Sequence, residues 1–454
     1  MDLKDMIEGL KDIRKQFTSI TLEVLDAIIA RSELDLDYHF IDTKLNIISG
    51  KNIYPPAPGQ KYNAKNVIFS WIQGRGLEAL AGHAKWLEED IPKNQDRIER
   101  IRCILKKLII KMEECRAKNN GKMFFIMNEN GNFLQVASGG QLIPEKNIHP
   151  NANFSDLFYS KGLLAAAAYL GKKDLVLEAE KYFEDVVNDI SAGSFTSDQQ
   201  SFDPKNKVAY VEGKFLQGPC MICLGGMALA AQICDSGKWL AKARKMIEHI
   251  FAKHINTGQF EYFQKYDFWE AIDASGMPWE ENGQVLCDPG HALEFVGLSL
   301  KCILQMRSDK SPETIAFLDK CRQHLPPLLK HCFELGFKPK QGGIIKSFDL
   351  CQHVPINTDM PWWSLPESIR AAAEIFEFSG NVAALDILSE CANCFFDNYL
   401  NQAVHSMAYQ TRNAEGKVVE VIPATPDADP GYHTGLSLID AIKIMDTLIL
   451  TKKY

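Results

Sequence analysis

Two histidines, His291 and His433, each follow an Asp-Pro-Gly sequence, in the segments DPGH and DPGYH. An imidazole gains and loses its proton near neutral pH, so histidine is well suited to move protons during a reaction. Glu294 is three residues beyond His291 and would share a helix face with it, where its carboxylate can orient or pair with the imidazole. A lone histidine on a helix is usually structural, but two in one local context indicate an acid/base pair.

A third segment, WIQGR, contains Trp71, Gln73 and Arg75 at the start of an apolar stretch. A guanidinium that is buried in such a stretch needs a partner, because leaving it unpaired is costly. Arg75 therefore fits a role in holding substrate oxygens and stabilising negative charge as it develops.

A fourth segment, PWWSLPE, places Trp362 and Trp363 before Glu367. Paired aromatic residues on a helix are usually core residues, and the functional alternative is a wall on which a sugar ring stacks. Glu367 would then lie beside that ring.

Apolar residues recur at helical spacing along most of the chain, and the pieces between the helices include only short strand-like segments. The pattern predicts twelve helices, over 5–30, 66–88, 92–118, 154–171, 173–190, 218–235, 237–255, 289–307, 312–334, 362–379, 382–399 and 432–450.

The connections alternate between short turns and long loops rich in Gly, Pro and aromatics. The helices that follow long loops start about seventy residues apart and are the less charged set, as expected for repeated helical hairpins that stack on one another. Six hairpins can close into a ring, so we predict one all-α domain, 1–454, with the (α/α)6 barrel fold. Short β-hairpins would lie in the long loops at one end, where the four segments above would meet.

Composition limits the partners. Hydrophobic residues make up 46% of the chain and charged residues 24%, as in folded globular proteins. Acidic residues outnumber basic ones, 58 to 50, and no basic stripe interleaves with aromatics, so we expect no nucleic-acid partner. The apolar stretch 218–234 is shorter than the ~20 residues of a membrane-spanning helix and contains three glycines. The N-terminal segment is unlike a signal peptide, and we expect a cytoplasmic protein without a membrane partner.

The twelve cysteines lack the spacing of a disulfide framework and indicate a reducing compartment. Two CxxC pairs, Cys220/Cys223 and Cys391/Cys394, lie in apolar helical segments and are interpreted as core residues. The sequence has no GxxxxGK[ST], HExxH or GxSxG motif. We predict neither a metal nor a cofactor.

Taken in order, these segments resemble the N-acylglucosamine 2-epimerase family, whose fold is an (α/α)6 barrel. WIQGR is similar to the family's Trp-Leu-Gln-Gly-Arg, PGHALE to its Pro-Gly-His-x-x-Glu, and PWWSLPES to its Trp-Trp-x-x-x-Glu. PGYHTGLSL lies where the family places its second catalytic histidine. The resemblance extends from about Val67 to the C-terminal helix.

The resemblance implies a cofactor-free proton transfer at the carbon next to a carbonyl. The sugar ring opens, one histidine removes the C2 proton, an enediolate forms, and the other histidine returns a proton to the opposite face. His291 and His433 would be the acid/base pair in either order, Arg75 would contact the enediolate oxygens, Glu294 would support His291, and Glu367 would orient hydroxyls or His433. The further substrate-binding residues would be Trp71, Gln73, Trp362 and Trp363.

The sequence also departs from the family pattern. Disaccharide epimerases and several isomerases of the superfamily carry another histidine on the sixth helix, but PCMICLGG has none, which favours the N-acyl-hexosamine branch. The aromatic expected three residues beyond Glu294 is Gly297, and the aromatic usual after the arginine motif is replaced near Glu78. The pocket is therefore expected to be reshaped.

We predict a sugar 2-epimerase of an N-acyl-hexosamine, with a small-molecule sugar as its partner; a homodimer remains open. An aldose–ketose isomerase is the first alternative, because it shares the enediolate. An inverting glycoside hydrolase would instead use Glu294 and Glu367 as paired carboxylates. A barrel that binds sugar without turnover is the third alternative.

Overall fold

Twelve α-helices form the frame of the protein, for which we use a computed structural model describing residues 3–91, 93–202, 211–422 and 424–451. The number of helices agrees with the sequence prediction. In chain order they are α1 (Leu3–Glu33), α2 (Ser70–Asp90), α3 (Gln95–Lys118), α4 (Phe154–Tyr169), α5 (Lys173–Ser191), α6 (Gln217–Ile233), α7 (Ser236–Lys253), α8 (Pro289–Met306), α9 (Pro312–Gly336), α10 (Ser364–Ser379), α11 (Ala383–Asn398) and α12 (Ser437–Thr451).

The even-numbered helices form an inner ring in which α2 packs on α4, α4 on α6, α6 on α8, α8 on α10, and α10 on α12. A π-helical turn, Tyr432–Leu436, precedes α12 and contacts α2, which closes the ring. The odd-numbered helices lie outside, and α1 packs on α12. The fold is therefore the predicted (α/α)6 barrel.

Burial differs between the two rings in the way that the hydrophobic pattern requires. On inner helix α4 every residue from Phe154 to Ala167 is buried. On outer helix α5 the buried side chains are Ala179, Phe183, Val186, Val187 and Ile190, one stripe at helical spacing.

Two glycines bring α2 and α4 unusually close together. A Cβ on Gly74 would lie 2.6 Å from the backbone carbon of Phe158, and one on Gly162 would lie 2.2 Å from the carbonyl oxygen of Gly74. No larger residue fits either position without moving a backbone. This close crossing sets Arg75, the next residue of α2, directly beside Phe158.

Short strands lie in the long loops, many of them directly before an inner helix. Val67–Phe69, predicted as helix, pairs with Ile126–Asn128, and this pairing delays the start of α2 to Ser70. The strands are β1 (Leu45–Asn46), β2 (Lys51–Asn52), β3 (Val67–Phe69), β4 (Ile126–Asn128), β5 (Phe133–Ala137), β6 (Gln141–Pro144), β7 (Phe215–Leu216), β8 (Ala271–Ile272), β9 (Glu280–Glu281), β10 (Gln284–Cys287), β11 (Phe337–Lys338), β12 (Gly343–Ile344), β13 (Ser347–Asp349), β14 (Val354–Asn357), β15 (Met360–Pro361), β16 (Leu400–Asn401), β17 (Met407–Ala408) and β18 (Thr411–Arg412).

Two of the strand groups are four-stranded antiparallel sheets, ordered β3-β4-β5-β6 and β14-β13-β10-β9, and the others are two-stranded. None of the helices in the described ranges is long and apolar enough to span a bilayer. The cysteines are all free thiols, and both CxxC pairs are buried, as expected for core residues.

Candidate functional site

A cavity of about 190 Å³ opens at the end of the barrel where the inner helices begin. Its wall combines side chains from α2, α4, α6 and α8, the two tryptophans before α10, and the π-helical turn before α12. The ring therefore brings together residues that are hundreds of positions apart in the sequence. Both histidines, Arg75, Glu294 and both tryptophans of the PWW segment are among the lining residues.

His291 is held at the first turn of α8 by two carboxylates from outside the helix. Asp288 caps the helix, its Oδ1 accepting from the backbone N–H groups of Gly290 and His291 at 3.0 and 3.3 Å. The ring Nδ1 lies 2.9 Å from Glu270 Oε2 and 3.4 Å from Asp288 Oδ2. Burial would lower the pKa of His291, but the charges of Asp288 and Glu270 outweigh it and raise that pKa to about 9.

The carboxylate that contacts His291 Nδ1 is therefore Glu270 rather than Glu294, and the role that the resemblance implied for Glu294 stays a prediction. Glu270 precedes β8 and accepts from Gln217 of α6 as well. The ring of His291 is stacked on Trp363, with centroids 5.2 Å apart. This stacking fixes the plane of the imidazole. Its Nδ1 contacts Glu270, in the loop before β8, instead of Glu294, three residues along α8.

His433 lies in the π-helical turn, a distortion that often occurs at functional sites. Asp429 holds the turn by accepting from the backbone N–H groups of Tyr432, His433 and Thr434 at 3.0, 3.4 and 3.1 Å. The ring Nδ1 lies 2.9 Å from Glu367 Oε1. Burial lowers the pKa of His433 well below its ordinary value, and the positive charges of Arg75 and Arg370 lower it further.

The two tryptophans contact the histidines. The Trp363 ring centroid is 5.8 Å from that of His433 as well as 5.2 Å from that of His291. Trp362 meets His433 edge to face at 6.2 Å. Both indoles are buried and line the cavity, so they hold the imidazole planes as well as forming part of the wall.

Arg75 lines the cavity with its guanidinium against aromatic rings. Its guanidinium carbon lies 4.2 Å from the ring centroid of Phe158 and 5.6 Å from that of Tyr432. In the described part of the chain its Nε has no hydrogen-bond partner. Burial lowers the pKa of Arg75, while the nearby tyrosine and carboxylates, Glu294 among them, favour its charged form. This cation is available to an oxygen of a ligand.

The other two residues of WIQGR have structural contacts. Gln73 is buried, and its side chain accepts from the backbone N–H of Ile41 at 2.8 Å and donates to the Ile41 carbonyl at 3.1 Å. Both ends of the amide are occupied in anchoring the loop at Ile41, and the assignment of Gln73 to substrate binding stays a prediction. Trp71 touches the cavity but packs mainly in an aromatic cluster, with Phe125 at 4.8 Å.

Glu294, Glu367 and His433 are the described residues with donor atoms close enough to suggest a cation site, all within 4.8 Å of one another. Both oxygens of Glu367 are already engaged, one by His433 and the other by the guanidinium of Arg370. A guanidinium in this position repels a divalent cation, so the set fits proton transfer better than metal binding. Burial raises the pKa of Glu294, although neighbouring cations oppose the shift.

The sequence analysis did not identify a buried lysine near Arg75. Lys161, in the middle of α4, is fully buried, pairs with Glu78 Oε2 at 2.9 Å and donates a hydrogen bond to the Tyr432 hydroxyl. The only signal in the sequence was the charge of Lys161 and Glu78 within apolar helices. Lys346 was also missed; it lines the cavity and donates to Asp288 Oδ2 at 2.5 Å.

A family model described as N-acylglucosamine 2-epimerase (GlcNAc 2-epimerase) matches residues 117–434, more than half of the chain. The chain belongs to this family. It is therefore a carbohydrate isomerase of the epimerase type. The matched range includes both histidines, Glu294 and the PWW segment, whereas WIQGR lies before it.

Solved structures agree with the N-acylglucosamine 2-epimerase family fold. The cellobiose 2-epimerase from Spirochaeta thermophila is similar with a TM-score of 0.68 at 13% identity, covering 97% of this chain and 98% of that one. The cellobiose 2-epimerase from Bacillus thermoamylovorans has a TM-score of 0.68 at 10% identity, covering 95% and 99%. A D-mannose isomerase has a TM-score of 0.60 at 14% identity, covering 92% and 97%. A search of curated proteins finds no match.

Proposed function

We propose that this chain is a sugar 2-epimerase acting on an N-acyl-hexosamine, with His433 as the base and His291 as the acid in the resting enzyme. The observation that carries the proposal is that two histidines line one cavity and their pKa values are shifted in opposite directions. Each Nδ1 is anchored on a carboxylate, at 2.9 Å in both cases, which leaves Nε2 for the substrate. The pKa of one histidine is raised and that of the other is lowered, so near neutral pH one carries a proton and the other does not.

The reaction then follows from this arrangement. In the open-chain sugar, Nε2 of His433 takes the C2 proton, and the electrons of the C–H bond move toward the carbonyl to form an enolate, or an enediolate in a sugar whose C2 carries a hydroxyl. Arg75 stabilises the negative oxygen. His291 gives its proton to the opposite face of C2, which forms the new C–H bond and inverts the configuration. Exchange of protons with water then restores the resting state.

The preference for an N-acyl group is supported by the apolar part of the cavity wall. Met221 and Ile222 of α6 line the cavity together with Phe154 of α4. These side chains offer an apolar surface to an acyl methyl group, and this stretch of α6 contains no histidine that would donate to a further hydroxyl.

A glycoside hydrolase is less well supported. Inverting hydrolases need carboxyl groups about 6.5–9.5 Å apart to hold a water between them. Oxygens of Glu294 and Glu367 come within 4.8 Å, and the second of these carboxylates is paired with Arg370. An aldose–ketose isomerase remains the second candidate, because it needs the same base and the same enediolate.

Incubation in D2O distinguishes these activities. Candidate N-acetylhexosamines, free hexoses and β-linked disaccharides are mixed with the enzyme, and the label is located by NMR. Deuterium at C2 with inverted configuration is the expected result. A ketose product would support the isomerase instead, and the absence of exchange with every sugar tested would contradict both.

The pH dependence of kcat/KM should report the two histidines of the free enzyme. The base must be unprotonated, so activity is lost as the pH falls through the lowered pKa of His433. The acid must be protonated, so activity is lost as the pH rises through the pKa of His291, about 9. We expect a broad plateau across neutral pH, and a narrow optimum near pH 6.5 would contradict the assignment.

Glu270→Gln tests the alkaline limit directly. The amide still accepts from Nδ1, but of the two negative charges that raise the pKa of His291 only that of Asp288, the larger influence, remains. The alkaline limb should therefore move part of the way to lower pH while the acidic limb stays. Glu281→Gln, an exposed carboxylate paired with Lys214, serves as the control and should leave both limbs unchanged.

A further inference from the structure

Gly297 leaves room for the Arg370 side chain between two inner helices, α8 and α10. Gly297 of α8 faces α10, and a Cβ on it would lie 3.1 Å from Arg370 Nε and 3.5 Å from the backbone of Ala371. Any larger side chain at 297 would displace the arginine. Gly297, which replaces the aromatic residue of the family pattern, therefore leaves the space that the Arg370 side chain occupies.

Arg370 is buried, with 5% of its side chain exposed, so its charge must be compensated inside the protein. Its guanidinium pairs with Glu367 Oε2, one helical turn earlier on α10. A second carboxylate, Asp440 of α12, is at 3.9 Å, and Nε has no hydrogen-bond partner in the described ranges. The Arg370 guanidinium therefore interacts mainly with Glu367.

Glu367 also contacts His433 and so connects Arg370 to this imidazole. Its Oε1 accepts from His433 Nδ1 at 2.9 Å and from the Ser437 hydroxyl at 3.1 Å, while Arg370 holds Oε2. A carboxylate with a guanidinium on one oxygen and an imidazole N–H on the other cannot rotate away from either. It therefore fixes both the orientation of the imidazole and the nitrogen that carries its proton.

We propose that Arg370, lying across Gly297, is a positioning residue that clamps Glu367 and thereby holds His433 with Nε2 free to accept a proton. The inference rests on the proposed role of His433 as the base. Arg370 does not line the cavity; it holds the imidazole through Glu367, and its charge also lowers the pKa of His433.

The effect of Arg370 must be separated from that of the other charges around His433. The charged and titratable groups facing this imidazole are Arg75 of α2, Lys161 of α4, His291 and Glu294 of α8, Glu367 and Arg370 of α10, and Tyr432 and Asp429 of its own segment. After burial and Arg75, Arg370 is the next largest influence that lowers the pKa of His433. Its removal should therefore raise that pKa.

The test compares Arg370→Met with Arg370→Lys. Met removes the charge, whereas Lys keeps the charge and loses the planar guanidinium that contacts Glu367. We expect Arg370→Met to raise the pKa of His433 and to move the acidic limb of kcat/KM to higher pH. We expect kcat to fall about 10- to 100-fold, by analogy with the loss of the carboxylate partner behind a metal-bound histidine. Arg370→Lys should restore the pH limb while recovering only part of kcat.

The matched control is Arg307→Met, which removes an arginine–glutamate pair, Arg307 with Glu377, at the opposite end of the same two helices. It should leave the pH profile unchanged. If Arg370→Met does not fold, Gly297→Ala provides a second test, because it adds one methyl group 3.1 Å from Arg370 Nε and removes no charge. It should reduce kcat without altering the fold.

NMR of isotope-labelled histidine in the free enzyme gives a readout that needs no substrate. The His433 signal is assigned by its loss in His433→Asn, and its nitrogen shifts report the protonated nitrogen. An unchanged pKa and unchanged tautomer in a folded Arg370→Met would overturn the inference, whatever the sugar. If the wild-type enzyme exchanges no sugar but the pKa of His433 still differs between wild type and Arg370→Met, the proposed function is wrong and the link from Arg370 to His433 is retained.

Discussion

Replacing either histidine by asparagine is expected to reduce epimerisation by about 10²- to 10⁴-fold, the usual contribution of a general acid or base. Asparagine can still donate to the carboxylate that anchors Nδ1, Glu367 in one case and Glu270 in the other. The loss is then one of proton transfer rather than of packing. Chiral separation of the sugar products measures it.

The two histidine variants should also differ from each other in a way that packing damage cannot imitate. In His291→Asn, His433 still removes the C2 proton of one epimer and can only return a deuteron to the same face. That variant should therefore exchange one epimer in D2O with retention of configuration. His433→Asn should exchange the other epimer when the pH is above about 9, where His291 is unprotonated and can act as the base. Exchange of both epimers by both variants would contradict the two-base arrangement. His149→Asn, an exposed histidine, is the control and should behave as wild type.

Arg75→Met is expected to cost about 10²- to 10³-fold in kcat, comparable with the loss of an oxyanion-stabilising donor. The guanidinium is buried against Phe158 and Tyr432, and its Nε is unpartnered in the described ranges. Its charge is therefore available to the enediolate. The loss should appear in kcat rather than in KM, because the negative oxygen forms only after proton removal.

The measurement for Arg75→Met must be made on the pH plateau, since Arg75 also lowers the pKa of His433. Arg75→Lys should recover part of the rate through its charge. Arg102→Met, which removes an exposed arginine paired with Glu88, is the matched control. A large rise in KM with kcat unchanged would assign Arg75 to ground-state binding alone and contradict its role in the chemistry.

Much of the protein could be predicted from the sequence because the relevant signals are local. Helical spacing of apolar residues predicted the twelve helices, and the alternation of short and long connections predicted the barrel. The Asp-Pro-Gly turns before His291 and His433 placed both at helix starts, and the structure shows the physical reason: Asp288 and Asp429 cap the first turns. The meeting of these starts at one end follows from ring closure.

The contacts that set the chemistry depend on the tertiary structure. Glu270 reaches His291 across 21 residues, and Glu367 reaches His433 across 66, through loops and helix packing that no periodic pattern encodes. Local spacing suggested Glu294 as the partner of His291, but ring stacking on Trp363 directs Nδ1 elsewhere.

Apolar periodicity and helix capping act over a few residues, and these local signals were enough to predict the helices, the barrel and the two histidines at helix starts. Three features depend on the closed ring instead: the carboxylate that anchors each imidazole, the fit of Arg370 across Gly297, and the opposite shifts of the two histidine pKa values. These properties arise from burial and from charges on separate helices, whose distances are defined only once the ring has closed.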